Sequence, residues 1–139
     1  MELPDLAATR SLASWTAAVL PRGQLLVVSG PLGAGKTTFV AELAAALGSD
    51  ADVTSPTYTL VHEYPTPDGP LVHVDAYRLG DTVDVAAALD LEGYLDRARA
   101  VVVEWGDRLL TAHPDAWHLR LTREGDRRSA HWAPGRGPA

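Results

Sequence analysis

Residues 30–37 read Gly-Pro-Leu-Gly-Ala-Gly-Lys-Thr, and the spacing of the glycines, the lysine and the threonine is chemically informative. The spacing satisfies G-x-x-x-x-G-K-[ST], in which glycines let successive backbone N–H groups point inward at phosphate oxygens. The ammonium of Lys36 can then reach the β- and γ-phosphates, and the hydroxyl of Thr37 is placed to ligate Mg²⁺. We therefore expect ATP and Mg²⁺ to be held by a loop comprising Leu32, Gly33, Ala34, Gly35, Lys36, Thr37 and Thr38.

Two acidic residues follow apolar runs further along the chain. Asp75 comes after residues 71–74, and Glu104 comes after residues 100–103. Ligands gather at the carboxyl ends of strands in open α/β sheets, and a phosphate loop hydrolyses poorly until a carboxylate positions Mg²⁺ or water. Either acid alone could be an ordinary charged strand end, but together they predict a magnesium and catalytic site shared with Lys36. The spacing leaves open which acid is the inner-sphere ligand.

Hydroxyl groups surround a proline in the segment Thr54-Ser55-Pro56-Thr57. Such hydroxyls could reach the γ-phosphate or Mg²⁺, as a switch segment does. An ordinary turn that caps a strand through its Ser or Thr side chains explains the same residues equally well.

Three other side chains lie close to these candidates in the sequence or have types that could take part in chemistry. His62 and His73 have no partner at a metal-ligand spacing, so both are interpreted as structural or solvent-facing. Trp105 stands beside Glu104, where it either shields the site from water or packs into the core.

The elements that must position these residues alternate between helical and strand patterns. Residues 25–28 form a continuous apolar run typical of a strand buried on both faces, and the Ala-rich residues 37–47 predict a helix that ends at Gly48. Period-two alternation over 57–63 and a turn at 65–69 predict an antiparallel hairpin with the strand at 71–74. The remaining predictions are a helix at 5–20, a mostly helical stretch at 81–97 broken near Gly93, a strand at 100–103, and a hairpin of 118–121 with 129–132.

This order of elements predicts the α/β class, with the P-loop NTPase fold. We expect a three-layer sandwich whose mostly parallel sheet contains antiparallel hairpin strands. The 139 residues suit one domain at 1–133, followed by a flexible tail at 134–139.

Composition excludes several functional classes. The apolar fraction of 46% argues against disorder, and a net charge of −6 argues against independent binding of DNA or RNA. No cysteine is available for disulfides or thiolate-bound zinc, and no apolar run reaches the length of a membrane span. We expect a cytoplasmic protein that meets nucleic acid, if at all, only through a partner.

Five blocks taken in order resemble the TsaE (YjeE) family of small bacterial ATPases, which serve threonylcarbamoyladenosine modification of tRNA. They are G-P-L-G-A-G-K-T-T (30–38), T-S-P-T-Y-T-L-V (54–61), H-V-D-A-Y-R-L (73–79), L-D-L-E-G-Y-L (89–95) and V-V-V-E-W (101–105). The blocks cover about residues 23–110, and the second and third are far more family-specific than the phosphate loop. The helix around Thr9 is similar more loosely. Where the family usually shows two glutamates before the tyrosine of the fourth block, this chain has Glu92-Gly93.

The resemblance implies an ATPase that docks on a TsaB–TsaD pair, with hydrolysis resetting that complex between turnovers. It also implies roles for individual residues. Lys36 and Thr37 would hold phosphate and Mg²⁺, while Asp75 and Glu104 would complete the metal and water shell. Thr57 would be a switch-like hydroxyl, and Thr9 a nucleotide contact.

Two rival functions use the same loop. A small-molecule kinase also needs strand-end acids, but it usually closes an Arg-bearing lid over both substrates, and Arg78 is the best lone candidate for such an arginine. A nucleotide-sensing module would bind ATP and barely hydrolyse it. The ATPase rate with and without the partner pair discriminates among the three.

Overall fold

The computed structural model describes residues 1–53, 61–77, 84, 87 and 90–138. Within these ranges the helices and strands build one six-stranded sheet in the order β2-β3-β4-β1-β5-β6. In chain order the elements are α1 (Leu6–Val19), β1 (Gln24–Ser29), α2 (Lys36–Ala46), β2 (Val61–Tyr64), β3 (Leu71–Asp75), α3 (Leu91–Arg97), β4 (Ala100–Glu104), α4 (Leu109–Ala112), β5 (Trp117–Glu124) and β6 (Arg127–Trp132).

The sheet is parallel at its centre and antiparallel at its edges. Strands β3, β4, β1 and β5 run in the same direction, whereas β2 and β6 are joined to β3 and β5 as antiparallel hairpins. This arrangement confirms the predicted α/β class with hairpin strands in a mostly parallel sheet. Asp75 of β3 and Val28 of β1 both pair in register with Glu104 of β4. The loop after β1 and the ends of β3 and β4 therefore lie at the same edge of the sheet.

Two apolar cores lie on opposite faces of the sheet and give the fold its three layers. On one face, Phe39 and Leu43 of α2 and Leu12 of α1 pack against the strands. On the other, Leu91 of α3 and Leu109 of α4 pack against the sheet. Because the central strands are covered on both sides, they consist almost wholly of apolar residues, as the sequence predicts.

The two helices on the first face begin and end close to their predicted limits. The side chain of Asp5 caps α1 by accepting a hydrogen bond from the backbone N–H of Ala8 at 2.9 Å. Helix α2 is followed by Gly48 in a left-handed conformation at φ +98°, which is the predicted glycine stop.

Helix α3 corrects one prediction, because it runs through Gly93 without a break. The helix begins after Asp90, which has a left-handed φ of 51°. A Cβ atom on Gly93 would lie 2.4 Å from Oδ2 of Asp90. Gly93 therefore gives room to the side chain that precedes the helix.

The C-terminal hairpin is longer than predicted, since β5 and β6 pair from Leu119–Trp132 to Glu124–Arg127 and leave only Gly125 and Asp126 in the turn. Residues 134–138, predicted as part of a flexible tail, make specific contacts through Arg136. Its guanidinium donates to the carbonyl oxygens of Leu110 and His113 at 2.8 and 3.1 Å.

The predicted strand at 57–63 is described from Val61 onward, because residues 54–60 lie outside the described ranges. Among the described residues, no helix is both long and apolar enough to cross a membrane.

Candidate nucleotide-binding site

The loop between β1 and α2 takes a path that requires glycine. Gly30 has φ +151°, and a Cβ atom there would lie 2.3 Å from the backbone oxygen of Leu121 in β5. Gly35, at φ +101°, precedes the first residue of α2 in a left-handed conformation. The loop consequently passes tightly against β5 and then opens into the N-terminus of a helix, where backbone N–H groups and the helix dipole attract anions.

The side chain of Lys36 is 6% exposed and folds back over this loop. Its ammonium donates to the backbone oxygens of Gly30 at 2.6 Å and Pro31 at 3.0 Å, and it stands 4.3 Å from the ring centre of Trp105. Burial lowers the pKa of Lys36, while the negative charges of Glu104, Asp75 and Asp107 act in the opposite direction. The positively charged side chain of Lys36 thus lies where the phosphates of a bound nucleoside triphosphate would meet the loop.

Glu104 lies at the end of β4 and is 3% exposed. Its two carboxylate oxygens stand 3.3 and 3.4 Å from the hydroxyl of Thr37. A carboxylate beside a hydroxyl is an oxygen donor set that suits Mg²⁺, which usually takes only one or two carboxylates and completes its shell with phosphate and water. The residues present therefore fit the ion.

No group of three acidic, histidine or cysteine side chains forms a metal cage in the described part of the chain.

Asp75 lies at the same level of the sheet as Glu104 but is oriented by a different contact. Its Oδ1 accepts a hydrogen bond from the backbone N–H of Tyr77 at 2.9 Å. The carboxylate that contacts Thr37 is thus Glu104, whereas Asp75 is tied to the turn that follows its own strand. The sequence leaves open which acid is the inner-sphere ligand, and these contacts distinguish the two side chains.

These side chains share one cavity of about 540 Å³, a volume typical of small-molecule sites. Every predicted site residue within the described ranges lines it: Thr9, Leu32, Gly33, Ala34, Gly35, Lys36, Thr37, Thr38, Asp75 and Glu104. Thr57 and its neighbours fall in residues 54–60, and Arg78 falls in residues 78–83, so these predictions lie outside the described residues.

The cavity has further walls that the sequence did not predict. They are Leu3, Asp5, Leu6, Tyr77 and Arg128. Arg128 comes from β6 and donates through Nε to the backbone oxygen of Gly33 at 3.1 Å. It follows the phosphate loop by more than 90 residues, and no local motif marks it.

Trp105 lies at the cavity, while its predicted role in shielding the site from water stays a prediction. It lines the cavity between Lys36 and Tyr77, whose ring centre is 5.1 Å from its own. Its backbone is left-handed at φ 60°, a conformation that costs a non-glycine residue about 1–3 kcal/mol and is concentrated at functional sites.

His73, predicted to be structural or solvent-facing, is not solvent-facing and contacts Glu104. It is fully buried on β3, and its Nε2 stands 2.5 Å from Oε2 of Glu104. The signal in the sequence is that His73 comes two residues before Asp75 on the same predicted strand. Its position beside the end of β4 follows from the pairing of β3 with β4.

Comparisons with known proteins show which family and fold this chain is similar to. The sequence model of the family described as threonylcarbamoyl adenosine biosynthesis protein TsaE matches residues 3–130. A tRNA threonylcarbamoyladenosine biosynthesis protein TsaE from Streptomyces coelicolor is 43% identical, over 82% of this chain and 78% of its own. The protein of the same name from Bacillus subtilis is 36% identical, over 85% and 73%. The crystal structure of YdiB from Bacillus subtilis superposes with a TM-score of 0.73 at 30% identity, covering 95% of this chain and 82% of that one.

Proposed function

The chain belongs to the TsaE family, which takes part in threonylcarbamoyladenosine biosynthesis, and we propose that within this pathway it is a magnesium-dependent ATP hydrolase. The observation that carries the proposal is the convergence of three groups at one edge of the sheet. The ammonium of Lys36, the hydroxyl of Thr37 and the carboxylate of Glu104 all line the same cavity. A cation, a hydroxyl and a carboxylate are the groups that phosphoryl transfer to water requires.

Binding of the triphosphate rests on the loop and on Lys36. The N–H groups at the start of α2 face the cavity mouth, and the helix dipole adds a positive potential there. The Lys36 ammonium, now shared between two loop carbonyls, exchanges those neutral acceptors for phosphate oxygens. Charge-assisted hydrogen bonds of this kind are roughly twice as strong as neutral ones.

Hydrolysis requires that water be oriented and charge be neutralised. Mg²⁺, when bound, supplies positive charge to the phosphate oxygens, and Thr37 and Glu104 would hold it. Asp75 lines the same cavity and orients either the ion's water shell or the attacking water. Trp105 lies over Lys36 and excludes bulk solvent, which strengthens the electrostatic interactions beneath it.

We further propose that the activity is slow in isolation and is used by a TsaB–TsaD complex. Membership of the family supports this assignment, because the family takes part in threonylcarbamoyladenosine biosynthesis. The net charge of −6 also disfavours direct contact between this chain and tRNA.

The test is a phosphate-release assay with Mg-ATP in four mixtures: the chain alone, with TsaB, with TsaD, and with both. We expect slow release from the chain alone and a marked increase with the pair. Release that needs a small hydroxyl acceptor instead of the pair would identify a kinase. Tight binding of ATP without release in any mixture would identify a nucleotide sensor.

A further inference from the structure

A histidine is buried beside the carboxylate on which the proposed chemistry depends. His73 is 0% exposed, and its Nε2 lies 2.5 Å from Oε2 of Glu104. An ionised carboxylate can only accept hydrogen bonds, so the hydrogen between them belongs to Nε2. His73 is therefore a donor that occupies one oxygen of Glu104.

The opposite nitrogen of the imidazole is held by a second buried group. Nδ1 of His73 lies 3.4 Å from the hydroxyl of Tyr64, which is 5% exposed on β2. In the neutral imidazole that carries its hydrogen on Nε2, Nδ1 accepts and the tyrosine hydroxyl donates. The hydroxyl then has a lone pair for Nδ1–H of His62, at 3.1 Å. The three strands β2, β3 and β4 thus carry one directed chain of hydrogen bonds that ends on Glu104.

We propose that His73 is the positioning residue for Glu104, and that Tyr64 fixes the tautomer in which His73 can act. The proposal rests on the proposed function. Donation from His73 restricts the rotation of the carboxylate, so that both of its oxygens stay within 3.4 Å of the Thr37 hydroxyl, beside which Glu104 would hold Mg²⁺. Partners of this kind around a metal ligand typically change metal affinity or activity by about 10–100-fold.

A purely structural role would be met more simply by an apolar residue. Leu71, Val72 and Val74, the neighbours of His73 on β3, are all buried aliphatic side chains. Burying an imidazole among them is unfavourable unless both nitrogens are bonded. An aliphatic residue at position 73 would pack equally well, but it would leave Oε2 of the buried Glu104 without this donor.

The experiment measures metal affinity as well as turnover. Binding of Mn²⁺ to the chain with a non-hydrolysable ATP analogue is followed by electron paramagnetic resonance, and kcat and KM are measured with the partner pair. For His73→Leu we expect Mn²⁺ affinity and kcat to fall about 10-fold or more. Affinity for the analogue in EDTA should stay unchanged, because the loop and Lys36 are intact.

Conservative variants separate positioning from folding. The amide nitrogen of glutamine can take the place of Nε2, whereas the shorter asparagine places its nitrogen near Nδ1. His73→Gln should therefore restore most of the Mn²⁺ affinity, and His73→Asn should not. Tyr64→Phe should give a smaller loss, and His131→Gln, on the exposed face of β6, should give none. The Gln and Asn pair decides the question even if the leucine variant does not fold.

Equal Mn²⁺ affinity in wild type, His73→Leu and His73→Asn would overturn the positioning role. Absence of hydrolysis by the wild type with both partners would overturn the proposed function instead. In that case the Mn²⁺ measurement still reports on His73, so the two failures are distinguishable.

Discussion

Two buried histidines on opposite faces of the sheet make nearly the same contact, yet only one of them serves the cavity. Nε2 of His73 stands 2.5 Å from a carboxylate oxygen of Glu104, and Nε2 of His118 stands 2.5 Å from the hydroxyl of Ser29. Each contact joins two neighbouring parallel strands, β3 to β4 in the first case and β5 to β1 in the second.

The backbone places the two pairs in the same way. His73 pairs with Val102, two residues before Glu104, and His118 pairs with Val27, two residues before Ser29. Residues two apart on a strand share a face, so each histidine lies diagonally across from its partner. The register is equivalent in the two cases, and the difference must come from the side chains and from what covers each face.

On the α2 face the partner is a carboxylate that also meets the Thr37 hydroxyl. On the α3 and α4 face the partner is a neutral hydroxyl, and burial lowers the pKa of His118. The charge of Asp107 opposes this shift, and those of Arg120 and Arg136 reinforce it. The comparison shows that strand register alone does not make a site. What distinguishes the two pairs is the face of the sheet, because the phosphate loop leads into α2 only on the face that carries His73.

If that is correct, removing the ammonium of Lys36 should reduce ATP hydrolysis more than any other single substitution. For Lys36→Ala we expect ATP hydrolysis to fall about 1000-fold, since transition-state charge then loses its side-chain donor. Calorimetry should show ATP affinity lost as well. Arg97→Ala removes an exposed cation from α3 on the other face and should leave both quantities unchanged. Unaltered ATP affinity in the lysine variant would contradict the assignment of the loop.

Neutralising the carboxylate that contacts Thr37 should have the next largest effect. Glu104→Gln should still bind ATP but hydrolyse it about 100-fold more slowly, because the amide neither ligates Mg²⁺ well nor orients water. Glu124→Gln, at the exposed end of β5, provides the matched control. Turnover at the wild-type rate would show that Glu104 has only a structural role.

Asp75→Asn tests whether the two strand-end acids are equivalent. Because Asp75 bonds to the turn at Tyr77 and Glu104 meets Thr37, we expect a smaller loss, about 10-fold in kcat. The apparent magnesium affinity should change less than it does for Glu104→Gln. A larger loss for Asp75→Asn, measured by magnesium titration of the rate, would reverse the ranking of the two ligands.

The smallest effect on hydrolysis should come from His118, and its removal should instead alter stability. A histidine whose folded pKa is lowered binds protons more readily when unfolded. The free energy of unfolding should therefore be highest above the usual pKa of 6.5 and decrease as pH falls below it towards the folded pKa. His118→Gln should flatten this dependence in urea denaturation between pH 7.5 and 5.5. An ATPase rate that falls as far as in His73→Leu would break the comparison between the two faces.

Much of the site follows from local sequence because its chemistry is carried by contiguous residues. The phosphate loop specifies its own backbone, and apolar runs that end in Asp75 and Glu104 mark strand ends whose position in a parallel sheet is fixed. The fold class and the TsaE resemblance are confirmed for the same reason. The functional roles of these residues, and that of Thr57, stay predictions.

What the sequence concealed depends on register and on distant packing. Tyr64 and His73 become chemically meaningful only when β2, β3 and β4 are aligned, and Arg128 reaches Gly33 from the last strand. The low helix propensity of glycine predicts a break at Gly93, whereas the structure shows that Gly93, within the helix, makes room for the Asp90 side chain. The conformational preferences of single residues do not reveal which pairs of side chains will meet in the folded structure.

The position of β1 in the sheet has a consequence for how the protein folds. Its two neighbours are β4, which begins at Ala100, and β5, which begins at Trp117. Closing segments of this length is entropically slow, and parallel pairing between distant segments slows folding further. During synthesis, β1 leaves the ribosome long before either neighbour exists. We therefore expect the phosphate loop that β1 supports to gain its shape only after β5 has been made.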